Sequence, residues 1–200
     1  MKIVSIKNTG EANALKQAVA VLRSGGVVVY PTDTAYALGG IYSNTRVRKK
    51  IMEIKGRKDE KFTLIASSAS QAEKFFPFTA KQKKIARALW PSPLSLVVTS
   101  QFAVRVPNQA FARKLARAAG APLVATSANV SGGHNPYSAL RTAKAFSGKD
   151  AEPDMIIDAG ILLKVQPSAV VRVLHSGEIE IIRKGPRSIM EEMRKFTFRS

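Results

Sequence analysis

Residues 25–40 constrain the fold of this 200-residue chain more than any other segment. The apolar run at 27–30 is rich in β-branched residues and lies between glycine and proline, which predicts a short buried strand. Pro31 has no amide proton for a ladder, so we expect strand pairing to stop there. Three small polar residues follow: Thr32, Asp33 and Thr34. Because ligands of open α/β sheets bind where strands end, this segment is a candidate binding site, although a plain capped turn would show the same pattern.

The rest of the chain alternates predicted helices with predicted strands. Helical spacing of apolar residues predicts helices over 11–24, 44–56, 70–76, 79–89, 109–119, 138–146 and 188–195. Short β-branched runs predict strands over 2–6, 27–30, 62–66, 94–99, 103–106, 122–126, 155–158, 169–174 and 179–182. This order predicts an α/β fold with an open, twisted mixed sheet flanked by helices. Since we find no repeat and no linker, we expect residues 1–200 to form one domain.

Composition excludes several classes of protein. An apolar content of 45% is typical of a globular chain, and the absence of cysteine excludes disulfides and thiolate ligands. No run of about 18 apolar residues occurs, and the first residues lack the apolar core of a signal peptide. We therefore expect a protein of the cytoplasm with no membrane partner.

Positive charge dominates the surface. The chain has 32 Lys and Arg against 14 Asp and Glu, a net charge of +18. Such an excess is typical of proteins that contact nucleic acid, although it also favours solubility in general. Two predicted helices carry basic faces, which consist of Arg46, Arg48, Lys49 and Lys50, and of Lys81, Lys83, Lys84 and Arg87. A polyanionic partner such as RNA is the favoured interpretation, and docking of an acidic protein is a further one.

Standard catalytic motifs are missing. The sequence has no phosphate-binding glycine loop, no dinucleotide fingerprint and no nucleophile elbow. The two histidines, His134 and His175, are too few and too far apart for a zinc site, and solvent exposure is the simpler interpretation of both. Polar and cationic residues instead cluster at predicted strand and helix ends: Lys55, Arg57, Arg105, Ser127, Asn129, Ser168 and Arg183. Strand ends bring distant residues to one crevice, where several cations would match a polyphosphate.

Several motifs together resemble those of one family. PTDTAYALG at 31–39 resembles the P-T-[ED]-T-x-Y-G-L-G signature of the Sua5/YrdC/YciO family. Further stretches resemble that family's motifs in the same order: KGR at 55–57, WPSPLS at 90–95, AVRVP at 103–107, PLVATSANVSG at 122–132, PSAVV at 167–171 and IRKG at 182–185. One such match is weak evidence, whereas the whole ordered set is specific.

The resemblance implies a YrdC-like fold with a concave basic groove, in the short form that lacks a further C-terminal domain. It implies a nucleotidyltransferase that converts L-threonine, bicarbonate and ATP, with Mg²⁺, into threonylcarbamoyl-AMP and pyrophosphate for N6-threonylcarbamoyladenosine in tRNA. A transferase complex would be the protein partner. It places Thr34, Arg57, Arg105, Ser127 and Ser168 at threonine or its carbamate, and Lys55, Lys61, Asn129, Asn135 and Arg183 at ATP. It implies no covalent nucleophile, only positioning and charge stabilisation.

A second branch of the same family offers an alternative. Ala37 stands where the signature has glycine, and residues 35–39 and 62–64 share features with the YciO branch. By this interpretation the chain would be a paralogue that binds double-stranded RNA or tRNA without synthase activity. The Ser127-Ala128-Asn129 sequence, typical of the synthase branches, is intact and favours the first interpretation.

Overall fold

The computed structural model describes residues 1–133 and 136–197. The helices are α1 (Ile6–Thr9), α2 (Glu11–Arg23), α3 (Thr45–Lys55), α4 (Ala69–Phe75), α5 (Ala80–Leu89), α6 (Ala110–Ala119), α7 (Ala139–Phe146) and α8 (Arg187–Thr197). The strands are β1 (Lys2–Ser5), β2 (Val28–Pro31), β3 (Tyr36–Gly39), β4 (Phe62–Ile65), β5 (Leu94–Val97), β6 (Phe102–Arg105), β7 (Leu123–Val124), β8 (Thr126–Ser127), β9 (Met155–Asp158), β10 (Ala169–Val173) and β11 (Ile179–Arg183). Within this described part, no helix combines the length and apolar character needed to cross a bilayer.

Two mixed sheets form instead of the single sheet that we expected, while the α/β class is confirmed. The first sheet has the order β1-β9-β2-β3-β8, and the second has the order β11-β10-β5-β6-β4-β7. Parallel pairs (β1 with β9, β4 with β6) stand beside antiparallel ones (β2 with β3, β5 with β6) in both sheets. Helices pack against these sheets, and α2 and α6 bury alanines and leucines there.

The segment at 122–127 joins the two sheets. We predicted one strand over 122–126, but Val124 pairs with Leu64 in the second sheet, whereas Thr126 pairs with Leu38 in the first. The chain changes partner between them, and Val124 donates its amide to the carbonyl of Gly40 at 2.8 Å. Two short strands therefore replace the predicted one, and Ser127 at the end of β8 is placed next to the β2–β3 hairpin.

The hairpin of β2 and β3 differs from our prediction at Pro31. The ladder continues through Pro31, which lies opposite Tyr36, and β3 itself was not predicted. Pairing continues through Pro31 because the next residue closes the hairpin: the amide of Thr32 donates to the carbonyl of Ala35 at 3.1 Å. A proline without an amide proton is tolerated at such a strand end.

Helix α3 has the predicted capping signals at both ends. The Asn44 side chain accepts from the amides of Arg46 and Val47 at 3.0 and 3.3 Å, and Gly56 ends the helix at φ +61°. A side-chain oxygen at the first position satisfies free amides, and a left-handed φ favours glycine at the last. The cap at Gly56 fixes Lys55 as the last helical residue, and Lys55 is buried at 3% exposure.

Gly39 allows β3 to lie against β7. A β-carbon added there would be 1.7 Å from the carbonyl oxygen of Val124, which is backbone and cannot swing aside. We expect Gly39→Ala to lower the free energy of unfolding by about 3 kcal/mol or more in equilibrium denaturant unfolding. As a control, Gly177→Ala lies in an open turn at φ +84° with no atom nearby, and should cost only about 1–2 kcal/mol of backbone strain. Equal losses in the two variants would contradict the close β3–β7 contact.

Candidate functional site

A small pocket lies where the second sheet meets the β2–β3 hairpin. Its volume is about 180 Å³, and its wall includes five residues that the sequence placed at a ligand: Thr34, Arg105, Ser127, Ser168 and Arg183. Strand directions explain the convergence. β6 and β11 end at the same edge of the sheet, where β10, which runs the other way, begins. Arg105 and Arg183 therefore meet Ser168 there.

Arg105 is held by a buried carboxylate. Its Nη1 donates to Oδ1 of Asp33 at 2.5 Å, and both side chains are almost fully buried. Asp33 also accepts from the amide of Asn108 at 2.8 Å, so both of its oxygens have donors. The other end of the guanidinium, Nη2, donates to the hydroxyl oxygens of Thr34 and Thr32 at 3.2 and 3.4 Å. Arg105 is thus fixed with one side toward Asp33 and the other toward the threonine hydroxyls of the pocket wall.

Arg183 is the second cation of the wall. Its Nε donates to the carbonyl oxygen of Ser168 at 2.9 Å and its Nη2 to the hydroxyl of the same serine at 3.0 Å. Burial, and then the positive charge of Arg105, lower the pKa of Arg183 below its ordinary value. The guanidinium groups of Arg105 and Arg183 therefore lie close enough to repel each other, and the carboxylate that pairs with Arg105 is that of Asp33. An anionic ligand would relieve this excess of positive charge.

Lys55 joins α3 to the 127–129 loop. Its Nζ donates to the carbonyl oxygen of Ser127 at 2.7 Å, to Oδ1 of Asn129 at 2.7 Å and to Oγ of Ser127 at 3.3 Å. Those contacts match the three donors of an ammonium group. Burial first, and then the nearby charge of Arg57, lower the pKa of Lys55 to about 8. Lys55 thus holds Ser127 and Asn129 in place, and all three residues were predicted from the sequence to belong to the site.

The low pKa of Lys55 predicts a pH dependence. Below about pH 8 the ammonium is charged and can attract an anion, whereas above that pH it becomes neutral. We expect the affinity of this site for an anionic ligand such as pyrophosphate to fall as the pH rises through about 8, because the neutral amine no longer attracts the anion. Lys55→Arg should remove the step, since arginine stays charged. A profile with the same step in both proteins would assign the titration to another group.

Lys55 and Asn129 contact each other beside Ser127 but do not line the pocket, and further predicted residues also lie outside its wall. Arg57 packs its guanidinium 4.7 Å from the centre of the Phe62 ring and donates from Nη2 to the carbonyl oxygen of Lys61 at 3.0 Å. Its buried Nε has no partner among the described residues. The side chain of Lys61 is exposed. Asn135 and His134 lie outside the described residues, and His175 is exposed in a turn, as expected.

Two residues that build the site, Asp33 and Tyr36, lay inside the recognised segment but were not among the individual site residues that we predicted. Asp33 lay within the recognised segment, yet only its distance to Arg105, 72 residues away, shows that it positions a cation. Tyr36 lines the pocket, and its hydroxyl donates to the carbonyl of Gly160 at 2.7 Å and accepts from the amide of Ala159 at 2.9 Å. Burial raises the pKa of Tyr36 to about 12. The match of Tyr36 to the tyrosine of the family signature was the sequence signal for this residue.

The described side chains around the pocket do not form a binding site for a metal ion held by the protein alone. Among residues 1–133 and 136–197, no three His, Cys, Asp or Glu side chains come close enough to hold one. The carboxylate beside the pocket, Asp33, already accepts from Arg105 and Asn108. Mg²⁺ is commonly held by substrate phosphates with few protein ligands, so a magnesium ion that enters with a phosphate ligand would not need such a cluster.

A larger hollow of about 1000 Å³ lies between α5 and α8. Its lining is mainly apolar and includes Ala88, Leu89 and Phe196, with lysines such as Lys81 at its margin. Its lining lacks the converging hydroxyls and the paired guanidinium groups of the small pocket. Chemistry rather than size therefore makes the small pocket the candidate site.

The basic faces are partly neutralised. Lys50 forms an ion pair with Asp154 at 2.7 Å, and Arg48 donates to the carbonyl oxygen of Tyr42 at 2.6 Å. On α5, Glu73 lies within 3.5 Å of Arg87 and 3.9 Å of Lys83. Both faces therefore offer fewer free cations than the sequence pattern indicated.

Comparison with known proteins assigns the family. The Sua5/YciO/YrdC family model, described as telomere recombination, matches residues 20–185. The chain belongs to the Sua5/YciO/YrdC family. Threonylcarbamoyl-AMP synthase of Bacillus subtilis is 34% identical over 162 residues, which are 73% of this chain and 46% of that protein. The chain thus spans about half the length of the first of its curated relatives.

Solved structures of family members share this architecture. Sua5 of Pyrococcus abyssi, crystallised with L-threonine, superimposes with a TM-score of 0.85 at 29% identity, over 99% of this chain and 61% of that one. YciO of E. coli gives a TM-score of 0.76 at 24% identity over 92% of this chain and 94% of that one, which shows the fold alone. The YrdC-like fold expected from the motifs is confirmed.

Proposed function

We propose that the chain is an L-threonylcarbamoyladenylate synthase, which makes threonylcarbamoyl-AMP and pyrophosphate from L-threonine, bicarbonate and ATP. The convergence of the buried Arg105 and the more exposed Arg183 with the hydroxyls of Thr34, Ser127 and Ser168 in one pocket carries the proposal. L-threonine brings a carboxylate and a hydroxyl, which match guanidinium and hydroxyl partners. The name of the Bacillus subtilis relative and the L-threonine in Pyrococcus abyssi Sua5 support the same substrate.

The pocket would work by positioning rather than by covalent catalysis. Arg105, fixed by Asp33, would hold the carboxylate of threonine, and Thr34 and Ser168 would orient its remaining polar groups. The carbamate, formed from the threonine amine and bicarbonate with loss of water, would attack the α-phosphorus of MgATP through its oxygen. The bond to the β-phosphate oxygen breaks, and pyrophosphate leaves with the electron pair. Lys55 and Arg183 would stabilise the charge that develops on the phosphates.

Pyrophosphate release tests this function. The full chain should release pyrophosphate only when L-threonine, bicarbonate and MgATP are all present, and threonylcarbamoyl-AMP should be detectable by mass spectrometry. Omission of any one substrate should reduce the rate to background. As a matched control, Glu73→Gln breaks an ion pair remote from the pocket and should leave the rate unchanged. Pyrophosphate release that does not need threonine would refute the proposal.

We also propose that the protein contacts RNA, with tRNA or a double-stranded helix as the candidate. The net charge of +18 favours this, and Arg46 and Lys49 on α3 form no ion pair within the described part of the chain. The product must next be consumed by a reaction that transfers its threonylcarbamoyl group, so a transferase complex in the cytoplasm is the proposed protein partner. The YciO-like alternative predicts RNA binding without pyrophosphate release.

Salt dependence tests the RNA proposal. Binding through phosphates releases counterions, so the affinity for a tRNA should fall at least about tenfold between 50 and 200 mM salt. Arg46→Glu with Lys49→Glu should weaken binding further, while pyrophosphate release stays at the wild-type rate because both residues lie outside the pocket. Affinity that does not change with salt would exclude this mode of contact.

A further inference from the structure

A buried serine lies directly behind the wall of the small pocket. Ser95 of β5 is 0% exposed, and its hydroxyl oxygen lies 3.3 Å from that of Ser168, which lines the pocket. Strand pairing explains this position, because Ser95 lies opposite Val170 in the parallel β5–β10 pair, two residues beyond Ser168. Ser95 is not part of the pocket lining itself, so its hydroxyl acts on a ligand only through Ser168.

The available acceptors determine which of the two hydroxyls donates. Ser168 already accepts from Nη2 of Arg183 at 3.0 Å, and a guanidinium can only donate. Within the described part of the chain, the hydroxyl of Ser95 has no partner other than Ser168. If Ser168 donated to Ser95, the proton of Ser95 would be buried without an acceptor, which costs free energy. Ser95 therefore donates to Ser168.

This direction makes Ser168 a donor toward the pocket. Its oxygen accepts from Ser95 and from Arg183, which occupies both lone pairs of the hydroxyl. The proton of Ser168 then has no acceptor among residues 1–133 and 136–197, and the residue borders the pocket. A hydroxyl in this state binds an acceptor of the ligand and rejects a group that can only donate.

We propose that Ser95 is a positioning residue that makes the pocket specific for the hydroxyl of L-threonine, because it fixes Ser168 as a donor to that oxygen. This inference rests on the proposed function, in which Arg105 holds the carboxylate. Of the two polar groups of threonine that remain, the ammonium can only donate, so the hydroxyl oxygen is the acceptor that Ser168 binds. An analogue without that oxygen leaves the proton of Ser168 unpaired and is rejected for that reason.

Affinity for two amino acids tests this role. On the full chain, Ser95→Ala should raise the dissociation constant for L-threonine about five- to tenfold in titration calorimetry, because Ser168 is no longer held as a donor. The dissociation constant for L-2-aminobutyrate, which lacks the hydroxyl, should not change. A merely structural effect of the substitution would weaken both ligands equally, and that outcome would overturn the proposal.

Ser92→Ala is the matched control. Ser92 is buried three residues away in the same segment, but its hydroxyl has no partner in the described part of the chain, and it does not line the pocket. Its removal should leave both dissociation constants unchanged and should not lower the midpoint of denaturant unfolding. The same unfolding measurement on Ser95→Ala shows that this variant is folded.

A double variant gives an independent result. In a Ser168→Ala protein, Ser95→Ala should add nothing to the dissociation constant for L-threonine, since Ser95 acts through Ser168. Additive losses would overturn the proposal. Unchanged threonine affinity in Ser95→Ala, with threonine-dependent pyrophosphate release intact, would also overturn it and leave the proposed function standing. A loss of affinity for L-threonine alone, in a protein that releases no pyrophosphate with all three substrates, would support this role of Ser95 and refute the synthase.

Discussion

Arg105→Met is expected to abolish threonine-dependent pyrophosphate release and to destabilise the fold as well. The guanidinium is the only described partner that forms an ion pair with Asp33, and both groups are nearly fully buried. Removal of one member of a buried pair leaves an uncompensated charge, which costs about 3–5 kcal/mol of folding free energy. The lost contact to the threonine carboxylate should lower kcat/KM by at least about 100-fold. Thermal unfolding and pyrophosphate release measure the two effects.

A double variant separates stability from function. Arg105→Met with Asp33→Asn removes both charges, so most of the lost stability should return, because a neutral pair of similar shape is tolerated where a single buried charge is not. Activity should stay at the level of the single variant, since the cation is still missing. Recovery of activity in the double variant would show that Arg105 supports the fold alone and does not bind substrate.

Lys55→Met is expected to abolish activity with little change in stability. Burial lowers the pKa of Lys55 to about 8, so holding its charge there opposes folding at neutral pH. Methionine removes that cost but leaves the Ser127 carbonyl without its donor, and the two effects should cancel to within about 1 kcal/mol. Loss of the ammonium should reduce kcat/KM for ATP by about 100-fold or more.

Comparison with an exposed lysine makes this second prediction specific. Lys74→Met, on α4 and in solvent, removes the same charge from the surface and should preserve activity and stability. Denaturant unfolding and pyrophosphate release should be measured on both variants. A Lys55→Met protein that is as unstable as Arg105→Met would mean that the lysine organises the core rather than the nucleotide.

Local patterns predicted the elements that depend on neighbouring residues. The cap at Asn44 and the stop at Gly56 placed α3 correctly, because capping needs only side chains within a few residues. β3 was missed because Tyr36, Ala37 and Gly39 have no strand-like alternation and become a strand only through pairing with β2 and β8. The division of 122–127 between two sheets also depends on distant partners, which no local pattern records.

Motifs predicted the residues of the pocket better than they predicted its contacts. Thr34, Arg105, Ser127, Ser168 and Arg183 meet as expected from strand ends. Arg57 and Lys61 follow α3 in sequence but lie outside that wall. The pairing of Asp33 with Arg105 needs β2 and β6, which lie in different sheets, to end side by side, and only the folded chain shows this.

A crystal structure with L-threonine and a non-hydrolysable ATP analogue tests the central claim most directly. We expect the threonine carboxylate about 2.7–3.2 Å from the guanidinium of Arg105, with the α-phosphate within reach of Lys55 or Arg183. The account would be contradicted if the threonine ligand bound in the hollow between α5 and α8 while Arg105 still contacted only Asp33 and the hydroxyls of Thr32 and Thr34.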